Sequence, residues 1–317
     1  MTPVIAFGEA LVDMLSSRLG DDRQGPETFT PYAGGAPANV AVACACLGLN
    51  SRFLGMLGAD YFGDFLAQEL RHHGVDVSGV VRTDQARTAL AFVSRDSSGE
   101  RTFDFYRPPA ADLLYRTEHL PAGVFADPAI VHLCSNSLTD PEIAQTTLAI
   151  TEMARRSGSL VSVDANLRHN LWPDHEVDVA LVTRLLDQAD LIKLSTDELD
   201  ALRGAHPRED WLAQRLAANA RLIVITDGPG DVSAYTSSNI TRMTPPIVEA
   251  VDTTAGGDAF IGGLLAALAA HDWQQDGWQY DADFLDHALS LACRCGAHAV
   301  TRPGAYAALP TREDVGL

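Results

Sequence analysis

Lysine is almost missing from this chain. Of its 317 residues, 23 are Lys or Arg, and Lys193 is the single lysine among them. A Walker-A phosphate loop needs Gly-Lys before Ser or Thr, and no Gly-Lys pair occurs. P-loop NTPase readings are excluded. Phosphate, if handled at all, must be held by arginine, by metal or by backbone N–H groups. Positive charge is scarce in general: 42 acidic residues leave a formal net charge of −19. That balance argues against nucleic acid, which demands a basic footprint, and against anionic membrane surfaces. Long apolar runs are lacking too. The most membrane-like stretch, 33–49, is interrupted by Pro37 and Asn39, too broken to span a bilayer. Residues 1–15 have no cationic leading region and carry Glu9 and Asp13, so no signal peptide is read and the cytoplasm is the expected compartment.

Cysteine is sparse, at five residues, four of them in two C-x-C pairs: Cys44 with Cys46, and Cys293 with Cys295. Both pairs fall in helical patterns, where residues two apart point to nearly opposite sides. They read as reduced, buried, structural thiols, not as chelates. The ten histidines show no H-x-x-x-H spacing of the kind that binds zinc.

What is present is alternation. Strand-like apolar runs at 4–8, 130–133, 160–164, 191–193 and 222–226 alternate with helical patterns at 37–47, 64–72, 141–156, 177–188, 210–218, 255–270 and 282–300. This predicts a three-layer α/β/α arrangement around a mostly parallel sheet. Ligands of such sheets bind beyond the carboxyl ends of the strands, here Asp164-Ala-Asn166, Lys193-Leu-Ser195 and Thr226-Asp-Gly228. Two excursions break the pattern, at about 10–33 and 86–110. The second alternates apolar and polar residues about Asp96-Ser-Ser-Gly99, a hairpin signal. The expectation is one domain, 1–317, with a small β-sheet built from both excursions that projects over the site as a lid or forms a dimer contact.

Two segments carry chemistry. In Val251-Asp-Thr-Thr-Ala-Gly-Gly-Asp-Ala-Phe260, small residues precede a helix whose first N–H groups lack intrahelical partners and carry partial positive charge. Gly256 and Gly257 let an anion approach the backbone. Asp258 faces the same spot, either as a base for a hydroxyl attacking a phosphoryl group or simply as a helix cap. In Tyr32-Ala-Gly-Gly-Ala-Pro-Ala-Asn39, Gly34 and Gly35 permit a tight turn, Pro37 suits a first helical turn, and Asn39 offers donors and an acceptor to a sugar. A turn and helix start explains that segment equally well.

In this order the two segments resemble the signatures of the ribokinase-like (phosphofructokinase B type) carbohydrate kinase family. The likeness runs through Gly8-Glu-Ala-Leu-Val-Asp13, Gly55-x-x-Gly58-x-Asp60-x-x-Gly63 and Gly304-Ala-Tyr-Ala-Ala-Leu-Pro310, and so covers essentially the whole chain. Within the family it is closer to fructokinases, through 87–93, 99–112, 164–172 and 193–198. 2-Keto-3-deoxygluconate kinases share several of these, above all Tyr106-Arg107. The resemblance implies an ATP- and Mg²⁺-dependent kinase making fructose 6-phosphate. The alternatives are a 2-keto-3-deoxygluconate kinase and a catalytically silent sugar-binding regulatory protein of the same fold.

By the same resemblance, Asp258 would be the base, and the N–H groups of Ala255, Gly256 and Gly257 would hold the transferring phosphoryl group. Asp13, Gly34, Gly35 and Asn39 would bind the sugar, joined by Arg168 and by Arg107 reaching in from the lid. The nucleotide side would involve Lys193 (which could instead simply pair with an acid), Glu198, Thr226, Gly228, Gly230 and Cys293. Glu198 would organise Mg²⁺ through water, and Asp252 and Thr254 would border a K⁺ site. Lid-to-lid homodimers are common among such proteins. Three positions depart from the usual pattern: Ala255-Gly-Gly-Asp258 in place of Gly-Ala-Gly-Asp, Ser195 in place of Asn, and Cys293 in place of Asn.

Overall fold

Near-continuous Val, Ile and Leu runs can be buried only in strands covered on both faces, and that requirement organises the chain. The computed structural model describes residues 1–18, 20, 26–95, 101–107, 109–271 and 280–317. The first strand, β1 (Val4–Phe7), is followed by β2 (Leu11–Ser16), β3 (Phe29–Gly34), α1 (Ala36–Cys46), β4 (Ser51–Gly58), α2 (Tyr61–His72) and β5 (Asp76–Thr83). Next come β6 (Leu90–Arg95), β7 (Arg101–Tyr106), β8 (Ile130–Cys134), α3 (Pro141–Arg156), β9 (Leu160–Asp164), α4 (Val179–Leu186) and β10 (Leu191–Ser195). The remainder is α5 (Thr196–Arg203), α6 (Arg208–Ala218), β11 (Leu222–Thr226), β12 (Val232–Tyr235), β13 (Ile240–Met243), α7 (Gly256–Ala270) and α8 (Ala282–Ala299).

Among the described residues, nine strands form one sheet in the order β13-β12-β11-β10-β9-β8-β1-β4-β5. Pairing is parallel except at β11–β12 and β12–β13. Side chains of α1, α2, α7 and α8 pack one face, and those of α3, α4, α5 and α6 pack the other. The chain leaves β1 towards β4 on one side and later returns to β8 on the other. This reversal of direction is where an open α/β sheet leaves a crevice beyond its carboxyl ends.

The five expected strands are present within one or two residues. The sequence reading omitted β4, β5, β12, β13 and α5. Strand β4 is interrupted by glycines, which read as breakers. Gly55 is needed there because a Cβ would come within 2.7 Å of the Gly8 carbonyl oxygen.

The two excursions pair into a second sheet, in the order β3-β2-β6-β7. Strands β6 and β7 are antiparallel as the hairpin pattern predicted, although the Asp96–Gly99 turn lies outside the described residues. Less expected is that β2 runs parallel to β6, with Val12 opposite Leu90. Alternation gives this sheet two faces. Leu11, Asp13, Phe103 and Phe105 look onto a cavity. On the other face Phe92 meets Phe29 and Tyr106, each with ring centroids 5.1 Å apart. Both C-x-C pairs are in helices, α1 and α8, and all five thiols are free. Trp273 and Trp278 fall outside the described residues, and Tyr280 packs on His271 and Phe284.

Candidate active site

Glycines bring the site together by letting α1, α7 and α8 approach closely. A Cβ on Gly262 would lie 2.4 Å from that of Ala43, and one on Gly263 would lie 2.8 Å from the Cys295 sulfur. As a result the starts of α1 and α7 lie side by side at the crevice. Asn39 on α1 donates from Nδ2 to Asp258 Oδ2 at 2.7 Å, linking positions 219 residues apart. Asp258 sits in the first turn of α7 and is buried. Burial pushes its carboxyl up to about 7, and the Asp164 carboxylate adds to that, while Asn39, Arg168 and Lys193 oppose it. A carboxyl titrating there can take a proton at neutral pH. Gly257 and Asp258 occupy helical positions whose N–H groups have no intrahelical carbonyl to reach, so these donors point towards any anion above them.

The cavity measures about 680 Å³. Its wall includes Asp13, Gly35, Asn39, Arg168, Asp252, Thr254 and Asp258 from the expected set, and also Glu9, Asn136, Asn166 and Asn170. Gly35 has φ 101°, and a Cβ there would lie 2.7 Å from the Glu9 carbonyl oxygen, so the turn requires glycine. Gly34 stands where a Cβ would meet Asp13 Oδ2 at 2.5 Å. Asn39 Oδ1 and Asn136 Oδ1 are buried without a partner. Burial raises the Glu9 carboxyl, against the pull of Arg107 and of Asn136, whose Nδ2 donates to Oε1 at 2.9 Å. Glu9 and Asn136 were not singled out from sequence, although each follows a strand's carboxyl end, which was the available signal.

Other expected residues take different positions. Arg107 does not line the cavity. It is buried behind the wall, with Nε donating to Asp112 Oδ2 at 2.7 Å and Nη2 to the Asn136 carbonyl at 2.9 Å. Lys193 pairs with Asp164 at 3.0 Å, both buried, and its Nζ would lie 3.3 Å from a Cβ on Gly257. Burial by itself would lower the lysine, but Asp164 and Glu198 outweigh it and hold the ammonium. Glu198 is not a free surface acid. Its Oε2 accepts from the Ser195 N–H at 2.7 Å while Ser195 Oγ accepts from the Glu198 N–H, and Oε1 accepts from the Leu167 N–H at 2.8 Å. Ser-x-x-Glu is a capping-box spacing, legible in the sequence and overlooked. Thr226, Gly228 and Gly230 end β11 away from this cavity, with Gly228 at φ 52°. Cys293 is buried in α8. The buried Asp252 accepts from Thr254 N–H and Oγ through Oδ1, and from the Gly304 N–H through Oδ2.

No group of three or more His, Cys, Asp or Glu suited to holding a metal occurs among the described residues. No helix among them is long and apolar enough to cross a membrane.

The profile of pfkB family carbohydrate kinases matches residues 1–312. A fructokinase of Salmonella typhimurium is 39% identical over 313 residues, covering 98% of this chain and 97% of that one. The structure of a Xylella fastidiosa fructokinase with bound ATP superposes with a TM-score of 0.93 at 42% identity, covering 99% of this chain and 96% of that one. A double-mutant Vibrio cholerae O395 fructokinase bound to fructose, ADP and potassium gives 0.87 at 33% identity, covering 100% and 97%.

Proposed function

The chain belongs to the pfkB family of carbohydrate kinases, and on that footing we propose that it is an ATP-dependent fructokinase making fructose 6-phosphate. The observation that carries the proposal is the Asn39–Asp258 pair at the start of α7, bordering a cavity walled by polar side chains that include Asp13, Asn136, Asn166 and Arg168. The sugar's terminal hydroxyl oxygen forms a bond to the γ-phosphorus as the bond to the ADP oxygen breaks. Asp258 takes the hydroxyl proton, and Asn39 holds the carboxylate in the orientation to receive it. The N–H groups of Ala255 and Gly257 bind the equatorial oxygens in transit, joined by that of Gly256 once it gives up its 3.3 Å bond to the Thr253 carbonyl. Asp13, Gly34, Gly35, Asn39 and Arg168 bind the sugar, and Lys193 with Asp164 sets the charge beneath the phosphoryl path. Thr226, Gly228, Gly230 and Cys293 are assigned to the nucleotide side.

The donor set fits Mg²⁺ held mainly by phosphates and water: the Glu198 oxygens keep a lone pair each beyond their backbone bonds, which suits a contact through water. The ion would neutralise charge on the β- and γ-phosphates. The Asp252 loop is assigned to a monovalent cation, because the Asp252 carboxylate draws 254 and 304 together. Free thiols throughout suit the cytoplasm.

Turnover of ATP should be fastest with fructose in a screen against 2-keto-3-deoxygluconate, ribose, glucose and adenosine. A preference for the keto acid would move the protein to the sister activity. Turnover of none, with sugar still bound, would make it a silent binding protein.

The small sheet acts as the lid, and its outer face as a homodimer contact. The exposed Phe29 and Tyr106 flank Phe92 there, an aromatic patch of the kind interfaces use. Phe92→Glu should convert a dimer to a monomer in sedimentation velocity. A parent chain that sediments as a monomer would remove the dimer assignment.

A further inference from the structure

Phe103 and Phe105 line the cavity, and residues two apart on an extended chain share a face. The chain therefore delivers Arg107 to the cavity side of the small sheet, and Asp112 turns it back. The ion pair measures 2.7 Å, with side chains only 2% and 3% exposed. The remaining guanidinium nitrogens bond the Asn136 carbonyl and Thr139 Oγ1. Asp112 grips through a single oxygen, its Oδ1 having no partner. With that charge withdrawn, the described cavity wall carries Glu9, Asp13, Asp252 and Asp258 against one cation, Arg168. A neutral polyol can enter such a site, whereas the carboxylate of a sugar acid would meet a surplus of acids.

We propose that Asp112 is a specificity-determining residue, excluding sugar acids by pinning and neutralising Arg107, which the chain delivers towards the cavity, so that Arg168 alone is left to receive a carboxylate. The proposal rests on the fructokinase reading and names what enforces it. A released Arg107 is the side chain suited to bidentate capture of a carboxylate. Asp112→Asn keeps the shape of the wall and removes the neutralising charge. Arg107→Met combined with Asp112→Met removes the pair without stranding either charge.

The test measures kcat/KM for fructose and for 2-keto-3-deoxygluconate, and the thermal shift each sugar produces, in the parent and both variants. In Asp112→Asn the keto acid should gain on fructose by about tenfold or more, the worth of one hydrogen bond between charged groups. The keto acid should also stabilise that variant more than fructose does, and the double variant should show neither effect. An unchanged ratio overturns the proposal, as does an equal gain in the double variant, which would mean a loosened wall. If Asp112→Asn is recovered unfolded, refolding in the keto acid but not in fructose supports the proposal, and refolding in neither overturns it. The parent's own preference tests the fructokinase reading, and the change from parent to variant tests the role of Asp112.

Discussion

Replacing Asp258 with asparagine is expected to cut turnover by about 10²–10⁴-fold, the usual worth of a positioned general base, while sugar binding stays close to that of the parent. The amide keeps the size of the carboxylate and can still accept from Asn39 through its oxygen, so the wall is preserved and only the proton acceptor is lost. The same substitution should stabilise the fold at alkaline pH. Burial raises the Asp258 carboxyl in the folded protein to about 7, from an ordinary value of 3.8. The folded state therefore holds the proton more tightly than the unfolded chain does. Its contribution to stability is fully present below about pH 4 and is lost as pH rises towards 7. Asparagine mimics the protonated form, so the variant should be more stable than the parent at pH 8, by at most about 4 kcal/mol, with the gap closing towards pH 4. Parent kcat/KM should fall about tenfold per pH unit below 7, as the proton occupies the base. Turnover within a few-fold of the parent would sink the assignment of Asp258 as base. A variant less stable than the parent at pH 8 would show that burial does not disfavour the charged carboxylate.

Arg107→Ala is expected to cost about 3–5 kcal/mol of stability, because it leaves the Asp112 carboxylate buried and unpaired. The melting temperature should fall on the order of 10 °C. This outcome differs from the one the family resemblance suggests, in which Arg107 reaches the sugar and its loss chiefly raises KM. The distinction is physical. A guanidinium 2% exposed and paired at 2.7 Å supports the wall from behind, and its removal strips three hydrogen bonds from Asp112, Asn136 and Thr139 together. The sugar KM should also rise, because Asn136 and the nearby Glu9 lose their support. An unchanged melting temperature with a raised KM would place Arg107 in the cavity, in direct contact with sugar.

The sequence by itself determined the layered α/β plan, the small residues at the start of α7 and the family. These depend on patterns that short stretches carry alone: apolar runs for covered strands, helical periodicity, and glycines ahead of a helix. The near-absence of lysine belongs with them, since it excluded a phosphate loop and left arginine, metal or backbone N–H groups to hold any phosphate. Where local cues conflicted, as with the glycines in β4, the strand was missed until the close approach of Gly8 explained them. Ser195 and Glu198 lay within one short motif and could have been read as a reciprocal cap. Only the tertiary structure decided which way the charged side chains turn. Asn39 meets Asp258, Lys193 meets Asp164, and Glu9 meets Asn136 across separations of 219, 29 and 127 residues. Arg107 and Asp112 are only five apart, yet nothing local favours their pairing over a contact with sugar. That choice is made by burial, because a charge removed from water must find its opposite within reach, and reach is a property of the folded chain.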